Sequence, residues 1–487
     1  MASARTESPR TGRNLEAVLI AAAIGLAIGA YALVGLAIDG TLPPGMLGYG
    51  AGLGALALVL HLAVRKFAPY ADPALLPLAM LLNGLGLVMI HRIDLGLGKS
   101  FGESAALRQL FWSALGVIAA TVIVIWLRDH RVLSRFTYIA MAAGLVLLLL
   151  PLVPFIGKNI NGARIWIGVG GFSFQPSEIA KIALTIFFAG YLVTARDSLS
   201  LVGRKVLWMQ LPRAKDLGPL LVAWGVTLAV LVFERDLGTS LLFFGMFVGL
   251  LYVATERGSW VLLGLLLFSG GAYLALKLFA HVQRRVDFWL HPFDPDIVDN
   301  STQIVQGLFG MANGGLIGTG LGEGHPYGSY MYYPASDMIF ASIGEELGLA
   351  GLFALLLIYA VIVERALRTA IGARDGFGKL LATGLSLTMA LQVFVVVGGV
   401  TRVIPLTGLT LPFMAAGGSS LLANWMIIAI LLRISDSARR PAAESDGPMF
   451  DLPIEEIPQE MQGDLEHRDD QRGEYGSGND QETVVVR

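Results

Sequence analysis

The sequence predicts an all-α, polytopic integral membrane protein with about twelve transmembrane helices, and three observations predict it. Of the 487 residues, 55% are hydrophobic and 15% are charged, whereas a soluble domain carries roughly 25% charged residues. The apolar residues form long stretches, close to the roughly 20 residues that cross a bilayer. Lys and Arg are concentrated in alternate loops, an asymmetry that orients helices in membranes.

Twelve segments are apolar and long enough to span a membrane. They are residues 15–38, 47–64, 73–91, 109–127, 137–156, 176–195, 217–233, 237–255, 259–280, 337–363, 379–399 and 410–433. A long polar loop precedes the tenth span. The first segment does not resemble a cleaved signal peptide, because it is too long and lacks an obvious cleavage site of small residues.

The charges of the loops predict that both termini lie in the cytoplasm. In that orientation 21 Lys and Arg residues up to residue 440 fall on the cytoplasmic side and nine fall outside. We therefore expect a cytoplasmic N-terminal segment at 1–14, a transmembrane domain at 15–434 and a cytoplasmic tail at 435–487. The tail holds 14 acidic and 5 basic residues and few apolar ones, which predicts disorder.

Three loops on the outside hold polar residues: 157–175, 281–336 and 400–409. Long loops in a compact domain are usually functional. The chain has no cysteine, which excludes disulfides and thiol catalysis.

The sixth span begins with a polar sequence from Gln175 to Lys181. Pro176 suits the first helical position, and Glu178 near the third is favoured by free N–H groups and the helix dipole. Lys181 follows on the same face. Glu178 alone is best explained as part of a capped helix with a structural ion pair, whereas Lys181 inside an apolar span indicates a polar interior.

The loop before the tenth span contains acids, two glutamines and a glycine run. Gln303 and Gln306 precede the glycines at 310–322, which lack the strand and the Gly-Lys-Ser/Thr of a nucleotide site. The run is better explained as a re-entrant or interfacial turn. The acids could recruit a cation, although acidic Pro-rich loops are more often simply solvated; they are Asp294, Asp296 and Asp299.

Asp337 stands where this loop turns into the tenth span. An ionised carboxylate at the end of a membrane helix is energetically costly unless it has bonding partners or a function. Asp337 therefore either caps the helix or takes part in catalysis. Glu345 lies eight residues further on, roughly 12 Å deeper at 1.5 Å per residue, and Glu346 follows it. Acids at that depth require a polar interior.

The last outside loop contains the cation Arg402, followed by Pro405, Pro412 and the pair Gly417-Gly418. These residues break regular helix, which membranes tolerate only against protein or a wet cavity. Arg402 could equally be an interfacial anchor.

Four patterns together resemble the SEDS family of bacterial envelope proteins (shape, elongation, division and sporulation), and among them the elongation members of actinobacteria. They are Gln-Pro-Ser-Glu-x-x-Lys at 175–181, Asp-x-Gly-Thr at 236–239, the run from Asp337 to Gly348, and the Pro and Gly-Gly-Ser-Ser segments at 405–420. The resemblance implies a core of ten spans, here preceded by two extra N-terminal ones.

The resemblance implies a peptidoglycan glycosyltransferase that polymerises lipid II at the outer face of the membrane during cell elongation. It carries the catalytic Asp onto Asp337, as general base in an inverting transfer. Lys181, Arg164 and Arg402 are candidates to stabilise the diphosphate leaving group, with a divalent cation (Mg²⁺ or Mn²⁺) as assistance. Substrate contacts are also expected from the remaining polar residues of these segments, Glu178, Gln303, Gln306 and Glu345.

The resemblance also implies a class B penicillin-binding transpeptidase as partner, besides lipid II and the membrane, and no nucleic acid. The alternative function is a lipid II flippase or transporter, which also needs a polar interior. Paired broken helices near the midplane, which transporters often show, are not recognisable in this sequence. A scaffold role, with the acidic tail for docking, is compatible with either.

Overall fold

The structure is a computed structural model that describes most of the membrane body. The described residues are 12–441 except 101–102, 161–162, 170–171, 201–204, 207–208, 211–224, 226–235, 295–297 and 327–330.

Thirteen α-helices lie in the described part of the chain. They are α1 (Arg13–Asp39), α2 (Met46–Phe67), α3 (Leu75–Gly96), α4 (Ala105–Trp126), α5 (Thr137–Leu149), α6 (Ser177–Ser200), α7 (Leu237–Thr255), α8 (Gly258–Leu278), α9 (Ala280–Leu290), α10 (Val298–Gly314), α11 (Ile339–Gly372), α12 (Gly376–Val400) and α13 (Gly418–Arg439). Short 3₁₀ helices flank α5 at His130–Phe136 and Leu150–Leu152.

Eleven helical segments among the described residues are long and apolar enough to cross a membrane. They are α1 to α8 and α11 to α13, with α5 counted together with its 3₁₀ flanks. The polytopic helical fold is thus confirmed. The predicted span at 217–233 lies outside the described residues apart from Gly225, so the twelfth span stays a prediction.

The loop predicted at 157–175 folds into a small antiparallel sheet, which the all-α expectation did not include. Strands β1 (Gly157–Ile160), β2 (Ala163–Val169) and β3 (Phe172–Phe174) pair in the order β1-β2-β3. The β-branched and aromatic run Ile165-Trp166-Ile167 in β2 favours a strand. A second, two-stranded pairing joins β4 (Lys205–Val206) and β5 (Met209–Gln210).

The segment predicted as a long loop at 281–336 instead carries most of α9 and the whole of α10. A search for long apolar runs misses both, since they are short and carry polar residues. α10 lies along the first half of α11, and a Cβ on Gly314 would lie 2.0 Å from the Gly344 carbonyl oxygen. The absence of a side chain there lets the two helices approach closely.

The glycine run after α10 forms the predicted turn and bonds to a kink in α11. Gly348 inside α11 has φ 65° and ψ −170°, which breaks the helical ladder. The amides of Thr319 and Gly320 donate to the carbonyls of Glu345 and Glu346 at 3.0 Å each. The turn therefore supplies donors to two carbonyls that lie beside the kink.

The core is formed by α3, α6, α12 and α13, which are buried along most of their length. α13 runs to Arg439, past the predicted domain boundary at 434. The reason is that Asp436 is buried and accepts a bond from the Tyr70 amide at 2.9 Å. Residues 442–487 of the predicted disordered tail lie outside the described part.

Candidate active site

Asp337 lies at a pocket of about 210 Å³ between α9, α10 and the segment that joins α12 to α13. The pocket is open on one side, and Asp337 is half-buried in its wall. Its other walls come from three structural elements brought together by the fold; the lining residues are Arg285, Phe288, Gln303, Ile304, Leu406 and Gly408.

Asp337 does not cap the helix that follows it. The N-cap of α11 is Met338, and no side chain caps this end. Capping was the structural alternative to a chemical role, and the geometry removes it. The carboxylate faces the pocket instead.

Burial raises the pKa of Asp337 from 3.8 to about 6, and the Arg285 guanidinium and the Gln303 amide partly offset that increase. A carboxylate with a pKa near 6 is largely ionised at neutral pH yet more basic than an ordinary Asp. Catalytic bases work best with a pKa near the operating pH.

Arg285 is the cation of this pocket, and sequence reasoning did not select it. Its Nη1 donates to the carbonyls of Leu406 and Thr407 at 3.2 and 3.1 Å. Burial lowers the pKa of Arg285, while the charges of Asp236 and Asp337 raise it. Arg has five N–H donors; in the described part of the chain those of Nη1 bond to the two carbonyls, and those of Nε and Nη2 can serve a ligand.

Asp236 explains the Asp-x-Gly-Thr pattern structurally. It caps α7, accepting from the Thr239 amide at 2.9 Å and from the Thr239 hydroxyl at 2.6 Å. A Cβ on Gly238 would lie 2.8 Å from the Thr407 Cβ, so glycine lets the segment beside Arg285 pack here. Burial raises the pKa of Asp236, with the Thr239 bonds opposing.

At Gly408 the backbone approaches the carboxylate of Asp337. Its φ is +79°, and an added Cβ would lie 3.9 Å from Oδ2 of Asp337. Glycine adopts this conformation at little cost. The pocket wall can thus reach the carboxylate without a side chain in between.

Lys181 and Glu178 form a buried polar cluster rather than a wall of the Asp337 pocket. Lys181 Nζ donates to Glu178 Oε2 at 2.5 Å and to Gln392 Oε1 at 2.9 Å. Gln392 in turn donates to the Thr410 carbonyl at 2.9 Å and to the Ser420 hydroxyl at 3.2 Å. The predicted pairing of Glu178 with Lys181 and the predicted polar interior are both present.

The two other predicted cations lie away from the Asp337 pocket wall. Arg402 exchanges bonds with α9: its Nε donates to the Trp289 carbonyl at 3.1 Å, and the Trp289 indole donates to the Arg402 carbonyl at 3.0 Å. Arg402 thereby fixes α9, which carries Arg285. Arg164 is exposed on β2.

Gln306 and Glu345 line a second pocket of about 330 Å³ on a neighbouring face of α10. Glu345 Oε1 accepts from the His325 amide at 3.0 Å and from the Asn313 amide at 3.3 Å. The adjacent Glu346 instead forms an ion pair with Arg92 at 3.0 Å. Of the predicted contacts, only Gln303 shares the first pocket with Asp337.

Among the described residues no group of three or more His, Cys, Asp or Glu side chains is placed to do so. Of the loop acids, Asp294 is exposed, while Asp296 and the side chain of Asp299 lie outside the described part.

Comparison with known proteins identifies the family. The family model for the cell cycle proteins FtsW, RodA and SpoVE matches residues 73–440. The chain is 50% identical over 436 residues to peptidoglycan glycosyltransferase RodA of Mycobacterium tuberculosis, covering 88% of this chain and 92% of the relative. It is 34% identical over 382 residues to stage V sporulation protein E of Bacillus subtilis, covering 78% of this chain and all of the relative.

A solved structure shares the fold. One chain of a peptidoglycan synthase complex that coordinates polymerization and crosslinking superposes with a TM-score of 0.60 at 24% identity, covering 76% of this chain and 99% of that one. The first two helices precede the family match at residue 73. This chain belongs to the FtsW/RodA/SpoVE family of multi-pass membrane proteins, as the four sequence patterns predicted.

Proposed function

We propose that the protein is a peptidoglycan glycosyltransferase that polymerises lipid II into glycan strands, with Asp337 as the general base. The names of its close relatives supply the reaction class. The observation that carries the assignment of the base is the half-buried carboxylate of Asp337, with a pKa of about 6, facing Arg285 across an open pocket.

In the proposed step the carboxylate of Asp337 takes the proton from the acceptor 4-hydroxyl. The freed oxygen attacks the anomeric carbon of the donor, and the bond from that carbon to the diphosphate oxygen breaks. Attack from the face opposite the leaving group inverts the centre. Diphosphate leaves readily as an anion, so no second, protonated carboxylic acid is required, in contrast to glycoside hydrolysis.

We propose that Arg285 stabilises the negative charge of the diphosphate leaving group in this pocket. Its guanidinium suits phosphate oxygens because its donors are arranged as a planar fork. The Lys181 cluster supports this region from within the bundle: Gln392 bonds to Thr410, in the same α12–α13 segment that binds Arg285. Arg402 holds α9 in position.

The second pocket is proposed to hold another part of the substrate. Gln306, Asn313 and Glu345 offer amide and carboxylate groups there, which suit sugar hydroxyls and N-acetyl groups. No Lys or Arg is among the described residues that line this pocket. The diphosphate is therefore assigned to the Arg285 pocket and sugar to this one.

A divalent cation, Mg²⁺ or Mn²⁺, is proposed as assistance. Mg²⁺ commonly binds through one or two carboxylates together with substrate phosphates, so the diphosphate and the Asp337 carboxylate would hold the ion without a preformed cluster. When bound, the cation would neutralise diphosphate charge.

We further propose cytoplasmic termini, from the loop charges, and a class B penicillin-binding transpeptidase as partner, which the family resemblance implies.

The test is polymerisation of lipid II by the purified full-length protein. Asp337→Asn is expected to lower the rate by about 10²–10⁴-fold, the usual contribution of a general base. Glu323→Gln, at an exposed acid of the same loop, is the matched control and should keep the rate. A parallel assay with EDTA tests the cation.

Near-normal polymer from Asp337→Asn would remove the base assignment. Transbilayer movement of lipid II without any polymer from the wild type would establish the flippase instead. An unchanged rate in EDTA would exclude a required divalent cation.

A further inference from the structure

We propose that the two N-terminal helices build a separate binding site for one phospholipid molecule. A cavity of about 430 Å³ lies between α1, α2, α3 and α4, within the range of roughly 300–1,000 Å³ typical of ligand sites. Both α1 and α2 precede residue 73, where the family match begins. The cavity therefore depends on helices outside the matched region.

The cavity opens on the same membrane face as Asp337. It lies where α1 and α3 end and where α2 and α4 begin. Arg92, beside the cavity residue His91, donates to the carbonyls of Gly322 and Gly324 at 2.8 and 2.6 Å. Both carbonyls belong to the segment between α10 and α11 that leads to Asp337.

The polarity of the lining changes along the membrane normal. Asp94, at the end of α3, and Ser104, at the start of α4, lie at the polar end of the cavity. Leu87 and Leu110 line it seven and six residues deeper, which is about 10 Å and 9 Å of helix at 1.5 Å per residue. A polar mouth above an apolar channel fits a lipid headgroup followed by its acyl chain.

Lys99 supplies the charge that recognises a phosphate. Its Nζ donates to Asp94 Oδ1 at 3.0 Å, and its side chain is 32% exposed. The second oxygen of Asp94 accepts from the Ser104 hydroxyl at 2.9 Å and from the Ala106 amide at 2.8 Å. Both oxygens of Asp94 are thus bonded, and within the described part of the chain Lys99 makes one bond, so that two of its three ammonium N–H groups can serve a ligand.

Aromatic rings and a glycine shape the wall opposite. Tyr31 stacks on Tyr49 at 4.7 Å and on His91 at 5.0 Å between ring centroids. Gly48 also lines the cavity, and a Cβ added there would meet nothing within 4 Å. A larger side chain at this position therefore has room without a clash with the protein, and we expect it to reduce the volume of the cavity.

The site is connected to the catalytic region by packing. Tyr31 and Tyr49 pack on a cluster of Ala30, Val34 and Val88, and Leu321 packs on the same cluster. Leu321 belongs to the turn whose backbone bonds to Glu345 and Glu346. Occupancy of the cavity is thus expected to stabilise the α1–α2 pair against this turn.

The test is retention of lipid by the purified full-length protein, measured by native mass spectrometry during titration with dioleoyl phosphatidylglycerol. The wild type should retain one tightly bound lipid. Gly48→Leu should weaken that binding at least tenfold. Gly54→Leu is the matched control, because Gly54 lies on the same helix, has equally open space for a Cβ and does not line the cavity.

Lys99→Gln and dioleoyl glycerol, which lacks the phosphate, test the headgroup. The variant should lose affinity for the phospholipid, and the wild type should bind dioleoyl glycerol more weakly. Equal retention by Gly48→Leu and wild type would overturn the site. Preference for dioleoyl glycerol, or for a polyprenyl phosphate over the phospholipid, would overturn the assigned occupant. Thermal unfolding of both Gly variants verifies that they are folded.

Discussion

At the scale of single residues, the environment of Asp337 decides what it can do. Most of the pKa shift comes from burial, and Arg285 opposes it. The sequence indicated this acid because a charged carboxylate beside an apolar span is costly unless it has partners or a function. It did not locate Arg285, because that residue lies on a short helix and lines the same pocket as Asp337 only through tertiary packing. Nor could it show that Arg402 bonds to the backbone of α9.

The raised pKa of Asp337 also predicts an effect on stability. The folded state holds this proton more tightly than the unfolded chain, so ionisation disfavours folding as pH rises from 3.8 through about 6. Asp337→Asn should therefore raise the unfolding temperature at pH 8, and the gain should vanish near pH 4. One pKa unit corresponds to ~1.4 kcal/mol. The gain in the free energy of unfolding is therefore at most about 3 kcal/mol.

Thermal scans of wild type and Asp337→Asn at both pH values are the measurement, with Glu323→Gln as control. If the variant melts below the wild type at pH 8, the ionised carboxylate stabilises the fold. That result would contradict the cost of burying this charge.

At the scale of elements, apolar stretches predicted the spans but not what lies between them. Residues 281–336 were expected to be a loop, yet they hold α9 and α10, which carry Arg285 and Gln303. The glycine run was correctly expected to turn. What sequence could not reveal is that this turn bonds to α11 at Gly348, since that contact is made between separate segments.

Gly348→Ala tests the kink that this turn supports. A Cβ there would lie 2.2 Å from the Gly318 amide nitrogen, at a φ of +65°. Backbone strain of this kind costs about 1–3 kcal/mol, and the clash adds to it, so the unfolding temperature should fall. Gly271→Ala on α8, where a Cβ meets nothing within 4 Å, should leave it unchanged or slightly higher. Equal melting of the two variants would contradict the account of the kink.

At the scale of the whole molecule, the membrane face opposite Asp337 is held together by buried charge. Arg433 on α13 donates to the carbonyls of Phe67, Leu127 and Arg128. These carbonyls lie at the ends of α2 and α4, where helical carbonyls lack partners in their own helix. One side chain therefore joins three helices far from the catalytic pocket.

Arg433→Met should destabilise the fold without altering the chemistry. Each carbonyl left unpaired costs about 1–3 kcal/mol, so the unfolding temperature should drop clearly, while the folded fraction keeps its polymerisation rate. Arg368→Met, at an exposed residue paired with Glu364, is the control and should melt like the wild type. An Arg433→Met protein of wild-type stability would refute the joining role.

The most direct test of the central claim is the pH dependence of kcat/KM for lipid II polymerisation. If Asp337 is the base, the rate should fall on the acid side with a midpoint near pH 6. Arg285 lowers the pKa of Asp337, so Arg285→Gln should move that midpoint to higher pH. A profile that stays flat from pH 5 to 8, or a midpoint that Arg285→Gln leaves in place, would contradict the account.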